Sequence, residues 1–291
     1  MKKVVVIVGP TGIGKTSLSI KLAKHYKTEC ISGDSVQVYR FLNIGSGKIT
    51  DKEKEGIKHH LIDILEPTQS YSVSDFQTEA RKIIDNLESL PLIVGGTGYY
   101  IKACLFDYDF KGNKGSYEFD NLTNEEIYNK LIELGDTDIP NINNRIRLIR
   151  RLIVLSNGPK PTSKDIPLYD YLIIGLTCDR EELYRRINNR VDEMVENGLI
   201  EEVKSLYDKG IRSLALRAIG YKELYDYFDG KIELSDAINL IKQHSRNFAK
   251  RQYTWFNNQM NVNWIDIERF DPYLKSIELI DEFIKWNRLH K

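Results

Sequence analysis

Cysteine is scarce in this chain and net charge is absent. The three cysteines, Cys30, Cys104 and Cys178, lie far apart in or beside apolar segments. That spacing excludes a disulfide framework and a cysteine-based metal site, and all three read as small buried thiols. Lysine plus arginine equals aspartate plus glutamate at 42 each. Bulk charge therefore argues for no nucleic-acid or membrane partner, and any such surface has to come from local clustering. Long apolar runs are missing too, since none approaches the roughly 18 residues that cross a bilayer. The opening Met1-Lys2-Lys3 leads directly into a strand pattern without a cleavable signal; a cytoplasmic protein with no membrane contact is the expectation. The 291 residues, 41% of them hydrophobic, suffice for one large domain or a core with a smaller insertion.

Against these absences stands one specific stretch. Gly9-Pro10-Thr11-Gly12-Ile13-Gly14-Lys15-Thr16 fits Gly-x-x-x-x-Gly-Lys-Thr, directly after the apolar run Val4 to Val8 and before the amphipathic run Ser17 to Tyr26. Strand, glycine-rich turn and helix in that order make a phosphate loop. The glycines turn backbone N–H groups inward, the helix offers its positive end, Lys15 supplies a cation and Thr16 a hydroxyl for Mg²⁺. The loop calls for a chelatable polyphosphate but does not say which molecule carries it. A nucleoside triphosphate and another diphosphate ester fit equally well.

Further along, Thr28 to Ser32 reads as a short strand ending in Gly33-Asp34-Ser35. In an open parallel sheet ligands gather at the carboxyl ends of strands, so Asp34 is expected near the phosphate loop; a helix cap is the competing role. Gly45 to Lys48 reads as a surface turn with a basic tip, Asp51 to Lys58 as a solvated helix face, and His59 and His60 as structural histidines. Ser72 to Leu90 predicts a helix with Val73, Phe76, Ala80, Ile83, Ile84 and Leu87 on its inner face. Pro91 to Val94 predicts a second buried strand. Where a P-loop kinase or ATPase would then place a Mg²⁺-holding Asp, the chain reads Gly95-Gly96-Thr97-Gly98. That loop can approach a phosphate closely but brings one hydroxyl and no acid.

From Phe110 to about Pro167 the composition turns to Asn, Gly, Asp and Lys with weak periodicity, a small helical insertion. Within it Arg145, Arg147, Arg150 and Arg151 cluster without an intervening acid, either as a solvated face or as a phosphate-backbone contact. Tyr171 to Leu176 reads as a strand and Asp179 to Lys209 as one long helix, on which Arg185, Arg186 and Arg190 have acidic neighbours to neutralise them. Asp236 to Phe256 predicts a helix carrying Lys242, Arg246, Lys250 and Arg251, a second basic group of a kind that binds nucleic acid; the interleaved Phe248, Tyr253, Trp255 and Phe256 fit core at this spacing. Trp264 to Lys291 reads as a final amphipathic helix.

Taken together, Gly9 to Thr16, Ser32-Gly33-Asp34-Ser35 through Gln37-Val38-Tyr39, Asp75-Phe76, Gly95-Gly96-Thr97, Arg217 through Gly220-Tyr221, and Ala249-Lys250-Arg251-Gln252 with Thr254-Trp255 resemble the tRNA dimethylallyltransferases. The resemblance runs over nearly the whole chain in the family's order. It implies an α/β, P-loop-type parallel sheet flanked by helices, 1–109 and 168–291, interrupted by a helical insertion, 110–167, that contacts tRNA. It implies transfer of a dimethylallyl group from its diphosphate to N6 of the adenine 3′ of the anticodon, with Mg²⁺ as cofactor and a monomer as the acting unit. On that ground Asp34 is the general base and Thr97 bonds the diphosphate oxygen near the breaking bond. Gly9, Thr11, Gly12, Gly14, Lys15, Thr16, Ser17 and Arg217 hold the diphosphate, and Asp34, Ser35, Gln37, Arg147, Arg150, Lys250 and Arg251 meet tRNA. The alternative is a small-molecule or nucleoside kinase with Asp34 as base for a hydroxyl, which the missing strand-end Asp argues against.

Overall fold

The computed structural model describes residues 1–110, 122–157 and 164–286; parts of the expected insertion, 111–121 and 158–163, lie outside the described residues, as does 287–291. The chain divides into two compact units, Met1–Leu105 with Tyr169–Lys291, and Phe106–Leu168. Among the described residues no helix is long and apolar enough to cross a membrane.

The larger unit is built on six parallel strands, β1 (Lys3–Val8), β2 (Cys30–Ser32), β3 (His59–His60), β4 (Leu92–Val94), β5 (Asp170–Thr177) and β6 (Asn263–Asp266), in the order β3-β2-β4-β1-β5-β6. A parallel sheet is covered on both faces, so its central strands carry continuous apolar runs rather than alternation. Val4 to Val8 are accordingly wholly buried. Helices α1 (Lys15–Tyr26), α2 (Asp51–Lys54), α3 (Val73–Asn86) and α4 (Gly98–Leu105) intervene between and after the first strands. On α3 the residues Phe76, Ala80 and Ile84 are fully buried at helical spacing, the two large side chains Phe76 and Ile84 contributing on the order of 1.5–3 kcal/mol each. Ser72 and Asp75 close its N-terminus as a reciprocal capping box.

In the smaller unit, α5 (Asn124–Glu133) and α6 (Arg145–Asn157) pack through Ile127, Leu131, Leu148 and Leu152. After β5, the expected single helix from Asp179 is two, α7 (Arg180–Glu196) and α8 (Leu199–Asp208). Gly198 breaks it at φ 99°, a left-handed conformation that glycine adopts at no steric cost. A 3₁₀ turn, Ala215–Arg217, precedes α9 (Tyr221–Phe228), and α10 (Leu234–Gln259) runs for 26 residues. The expected C-terminal helix is likewise divided. Its first residues form the edge strand β6, in register with Ile174 to Thr177, and α11 (Pro272–Trp286) follows. A second apolar cluster joins α7 to α10 with Val38, Tyr39 and Leu42.

His59 and His60 are structural, as expected: they pair β3 with β2, and the His60 ring bonds Glu29. Gly45 to Lys48 is no loose surface turn. The Lys48 side chain is 4% exposed, its Nζ donating to Tyr39 O (2.7 Å) and Asn43 Oδ1 (2.9 Å) and pairing with Asp63.

Candidate active site

Because β2, β4 and β1 are neighbours, their carboxyl ends bring Gly33, Gly95 and Gly9 together. Gly33 N–H donates to Val94 O (2.8 Å), Gly95 N–H to Ile7 O (3.1 Å) and Thr97 N–H to Gly33 O (3.3 Å). A Cβ at Gly95 would stand 2.3 Å from Gly33 O, so the two loops touch backbone to backbone and only glycine fits. Contact this close brings the acid of one loop to the hydroxyl of the other.

Asp34 stands on one of these loops and Thr97 on the other, linked through the N–H of Ser35. Asp34 Oδ1 accepts from the N–H groups of Val36 (2.8 Å) and Gln37 (3.3 Å), so the capping role is real. Its second oxygen takes no hydrogen bond among the described residues. Thr97 Oγ1 accepts from Ser35 N–H (3.3 Å), which leaves the hydroxyl proton for another acceptor. Gln37 is engaged within the protein: its Oε1 accepts from Ser32 Oγ (3.2 Å) and its Nε2 donates to the carbonyls of Ser46 and Gly47, both at 3.4 Å.

The phosphate loop follows β1. Gly9, Gly12 and Gly14 have φ of 144°, 79° and 103°, and no side chain caps α1 at Gly14. No acid occupies the first turn of α1 either, so its N–H groups and positive end are open to an anion. Lys15 Nζ lies back on the carbonyls of Gly9 and Pro10, both at 2.9 Å. Burial, and then the nearby charge of Arg190, push the Lys15 ammonium down to about 7, against the charge of Asp34.

A cavity of about 1340 Å³ opens on this loop, lined by Gly12, Gly14, Lys15, Thr16 and Ser17 and, across from them, by Gly47 and Arg190. Arg190 is a candidate site residue that its acidic sequence neighbours conceal. Its guanidinium takes part in no hydrogen bond or ion pair among the described residues, and burial lowers its proton affinity. Two partly desolvated cations facing one cavity without a paired anion are costly unless an anion joins them. Gly47 lies against the arginine: a Cβ there would stand 1.7 Å from Arg190 Nη2.

Arg217 does not line this cavity; it is exposed at the end of its 3₁₀ turn. Thr11 is half-buried in the loop, and Thr16 and Ser17 are exposed. Of the insertion arginines, Arg147 and Arg150 are exposed. Arg145 is spent on Leu122 O (2.6 Å) and Asn124 Oδ1 (3.1 Å), and Arg151 on the buried carboxylate of Asp136, so these two hold the smaller unit together. The α10 group divides the same way. Lys242 pairs with Asp192 (2.6 Å) and Arg246 donates to Asn188 (2.6 Å), while Lys250 and Arg251 are exposed.

A family model described as IPP transferase matches residues 37–259. The chain belongs to the IPP transferase family. A curated member from Anoxybacillus flavithermus, a tRNA dimethylallyltransferase, is 47% identical over 91% of each chain. A crystal structure of a tRNA delta(2)-isopentenylpyrophosphate transferase from Staphylococcus epidermidis superposes with a TM-score of 0.76 at 40% identity, over 98% of this chain and 100% of that one. A eukaryotic dimethylallyltransferase captured acting on tRNA reaches a TM-score of 0.81 at 28% identity, over 98% of this chain and 80% of that one.

Proposed function

We propose that the protein transfers a dimethylallyl group from dimethylallyl diphosphate to N6 of the tRNA adenine just 3′ of the anticodon, releasing diphosphate. The observation that carries this reading is the convergence, at the carboxyl ends of the neighbouring strands β2, β4 and β1, of two unlike half-sites. One is an uncapped helix terminus with Lys15 and Arg190, suited to a diphosphate. The other is Asp34 beside Thr97, suited to an acceptor with a proton to lose.

In the reaction the bond from the allylic C1 to the diphosphate oxygen breaks and the bond from N6 to C1 forms. The phosphate-loop N–H groups, Lys15 and Arg190 stabilise charge growing on the leaving diphosphate. The Thr97 hydroxyl donates to the oxygen that departs. An exocyclic adenine amine is a very weak acid, so the free oxygen of Asp34 takes its proton as the new bond makes the nitrogen cationic. The adenine must first leave the anticodon stack, at a cost of a few kcal/mol.

Thr16, exposed in the cavity, fits a Mg²⁺ ion bound jointly with the donor's own phosphate oxygens. Among the described residues no cluster of three His, Cys, Asp or Glu side chains offers a protein cage. Such an ion would neutralise charge on the diphosphate. Arg147 and Arg150 in the smaller unit and Lys250 and Arg251 on α10 are free to meet tRNA phosphates, and the acting unit is taken to be a monomer.

The test is incubation of the purified protein with unmodified tRNA and dimethylallyl diphosphate, followed by mass analysis of the nucleosides. N6-isopentenyladenosine is expected. No modified nucleoside, together with ATP turnover in the absence of RNA, overturns the reading in favour of a kinase.

A further inference from the structure

Outside the reacting groups, one carboxylate gathers more hydrogen bonds than any structural ion pair nearby. Glu202, on α8, accepts from three successive backbone N–H groups: Asn43 (3.0 Å) and Ile44 (2.8 Å) on Oε2, and Gly45 (3.1 Å) on Oε1. The Tyr221 hydroxyl, at the start of α9, adds a fourth bond to Oε1 at 2.7 Å. The Tyr221 ring lies against Gly45 so closely that a Cβ there would be 2.6 Å from it. Consecutive N–H groups converging on an anion form a fixed, charge-assisted seat.

The segment held this way is a wall of the donor cavity. Asn43, Ile44, Gly47 and Lys48 line it, and two residues beyond the anchored Gly45, Gly47 lies against the guanidinium of Arg190. The turn between anchor and arginine is stiff, closed by Gly47 N–H to Ile44 O and Lys48 N–H to Asn43 O, both at 2.9 Å. Position set at Glu202 is therefore transmitted to Arg190 over a few bonds.

We propose that Glu202, supported by Tyr221, is a positioning residue for the donor: it fixes the loop 43–47 and thereby places the Arg190 guanidinium for the diphosphate. Glu202 touches no substrate. The inference rests on the reading that a diphosphate occupies this cavity. Glu202→Gln tests it with little change of volume, because an amide would turn an NH₂ toward backbone donors that need an acceptor.

The experiment is calorimetric titration of inorganic diphosphate with Mg²⁺ into the full-length protein, alongside tRNA binding. Glu202→Gln is expected to weaken diphosphate by about tenfold, the scale of a displaced charge-assisted bond, and to leave tRNA affinity within about twofold of the parent. In an Arg190→Gln background the same change is expected to add little, because both act through one guanidinium. Unchanged diphosphate affinity in Glu202→Gln, full additivity with Arg190→Gln, or an equal loss of tRNA affinity each overturns the proposal. If Glu202→Gln does not fold, Tyr221→Phe removes only the fourth bond and is expected to weaken diphosphate by a few-fold; no weakening there overturns it as well. Failure of the parent itself to bind diphosphate would instead refute the reading of the cavity, a separate outcome.

Discussion

Thr97 Oγ1 accepts a 3.3 Å hydrogen bond from the N–H of Ser35, the residue next to Asp34. The bond turns the hydroxyl proton away from Ser35 and ties the loop after β4 to the loop that carries Asp34. Asp34 is itself divided in function, one oxygen on the N–H groups of Val36 and Gln37 and the other unengaged among the described residues.

That division sets the outcome for Asp34→Asn. Asparagine can still accept from Val36 and Gln37 through its single oxygen, but it cannot take the N6 proton. Single-turnover transfer is expected to fall about 10² to 10⁴-fold, with tRNA and donor affinity within a few-fold of the parent and an unchanged unfolding midpoint. A collapse of affinity in a folded variant would make Asp34 a tRNA-positioning residue. A lowered midpoint, at the scale of a lost cap of about 0.5–2 kcal/mol, would make it a structural one.

Donor binding should take up a proton. Free Lys15 titrates at about 7, and a bound diphosphate favours its charged form, raising that value. Below pH 7 the lysine is charged before and after binding and contributes no pH dependence. Above it, affinity should fall by up to tenfold per pH unit until the bound-state value is reached. Calorimetry at pH 8 in two buffers of different ionisation enthalpy should register uptake approaching one proton per site beyond the ligand's own, and Lys15→Met should abolish that component. Equal uptake in parent and variant would remove Lys15 from the account.

Arg190 and Arg217 make contrasting predictions. Arg190 lines the cavity on the phosphate loop and Arg217 does not. Arg190→Gln should weaken inorganic diphosphate by about 10- to 100-fold, as expected for loss of a hydrogen bond to a charged group. Arg217→Gln should leave that affinity near the parent's. A large loss in Arg217→Gln would show that its turn closes over the donor.

The arginines of α6 separate by role. Replacing exposed Arg147 and Arg150 with Gln should lower the slope of log affinity for tRNA against log salt by roughly one to two units. Arg151→Gln should instead lower the unfolding temperature, since Asp136, whose side chain is 1% exposed, loses its bidentate partner. A salt slope unaffected by the first pair would return those side chains to simple solvation.

The phosphate loop, the strands around it and the place of Asp34 at the carboxyl end of β2 were legible in the sequence. Glycine spacing and apolar runs are local signals, and the strand-end rule turns them into a place. Arg190 was not legible, because Asp192 and Glu193 stand beside it in the chain and looked sufficient to neutralise it. In the fold Asp192 is taken by Lys242, and Glu193 makes no ion pair with Arg190 within bonding distance. A usable signal was present: Arg186, Asn189, Arg190, Glu193, Met194 and Asn197 form a cavity-lining stripe at helical spacing, alongside the buried stripe Leu183, Ile187 and Val191. β6 was missed for another reason. Four residues cannot show whether their period is that of a strand or a helix, and only the free edge of β5 decides it.

The break at Gly198 has a geometric consequence. Arg190 and Glu202 are twelve residues apart, so on an unbroken helix they would sit roughly 18 Å apart along the axis and about 120° around it, unable to address the same five residues of chain. With the helix turned at Gly198, one segment delivers the cation to Gly47 and the other delivers the carboxylate to Asn43, Ile44 and Gly45. A single residue without a side chain thus sets the angle between two levers that grip the same loop from different directions.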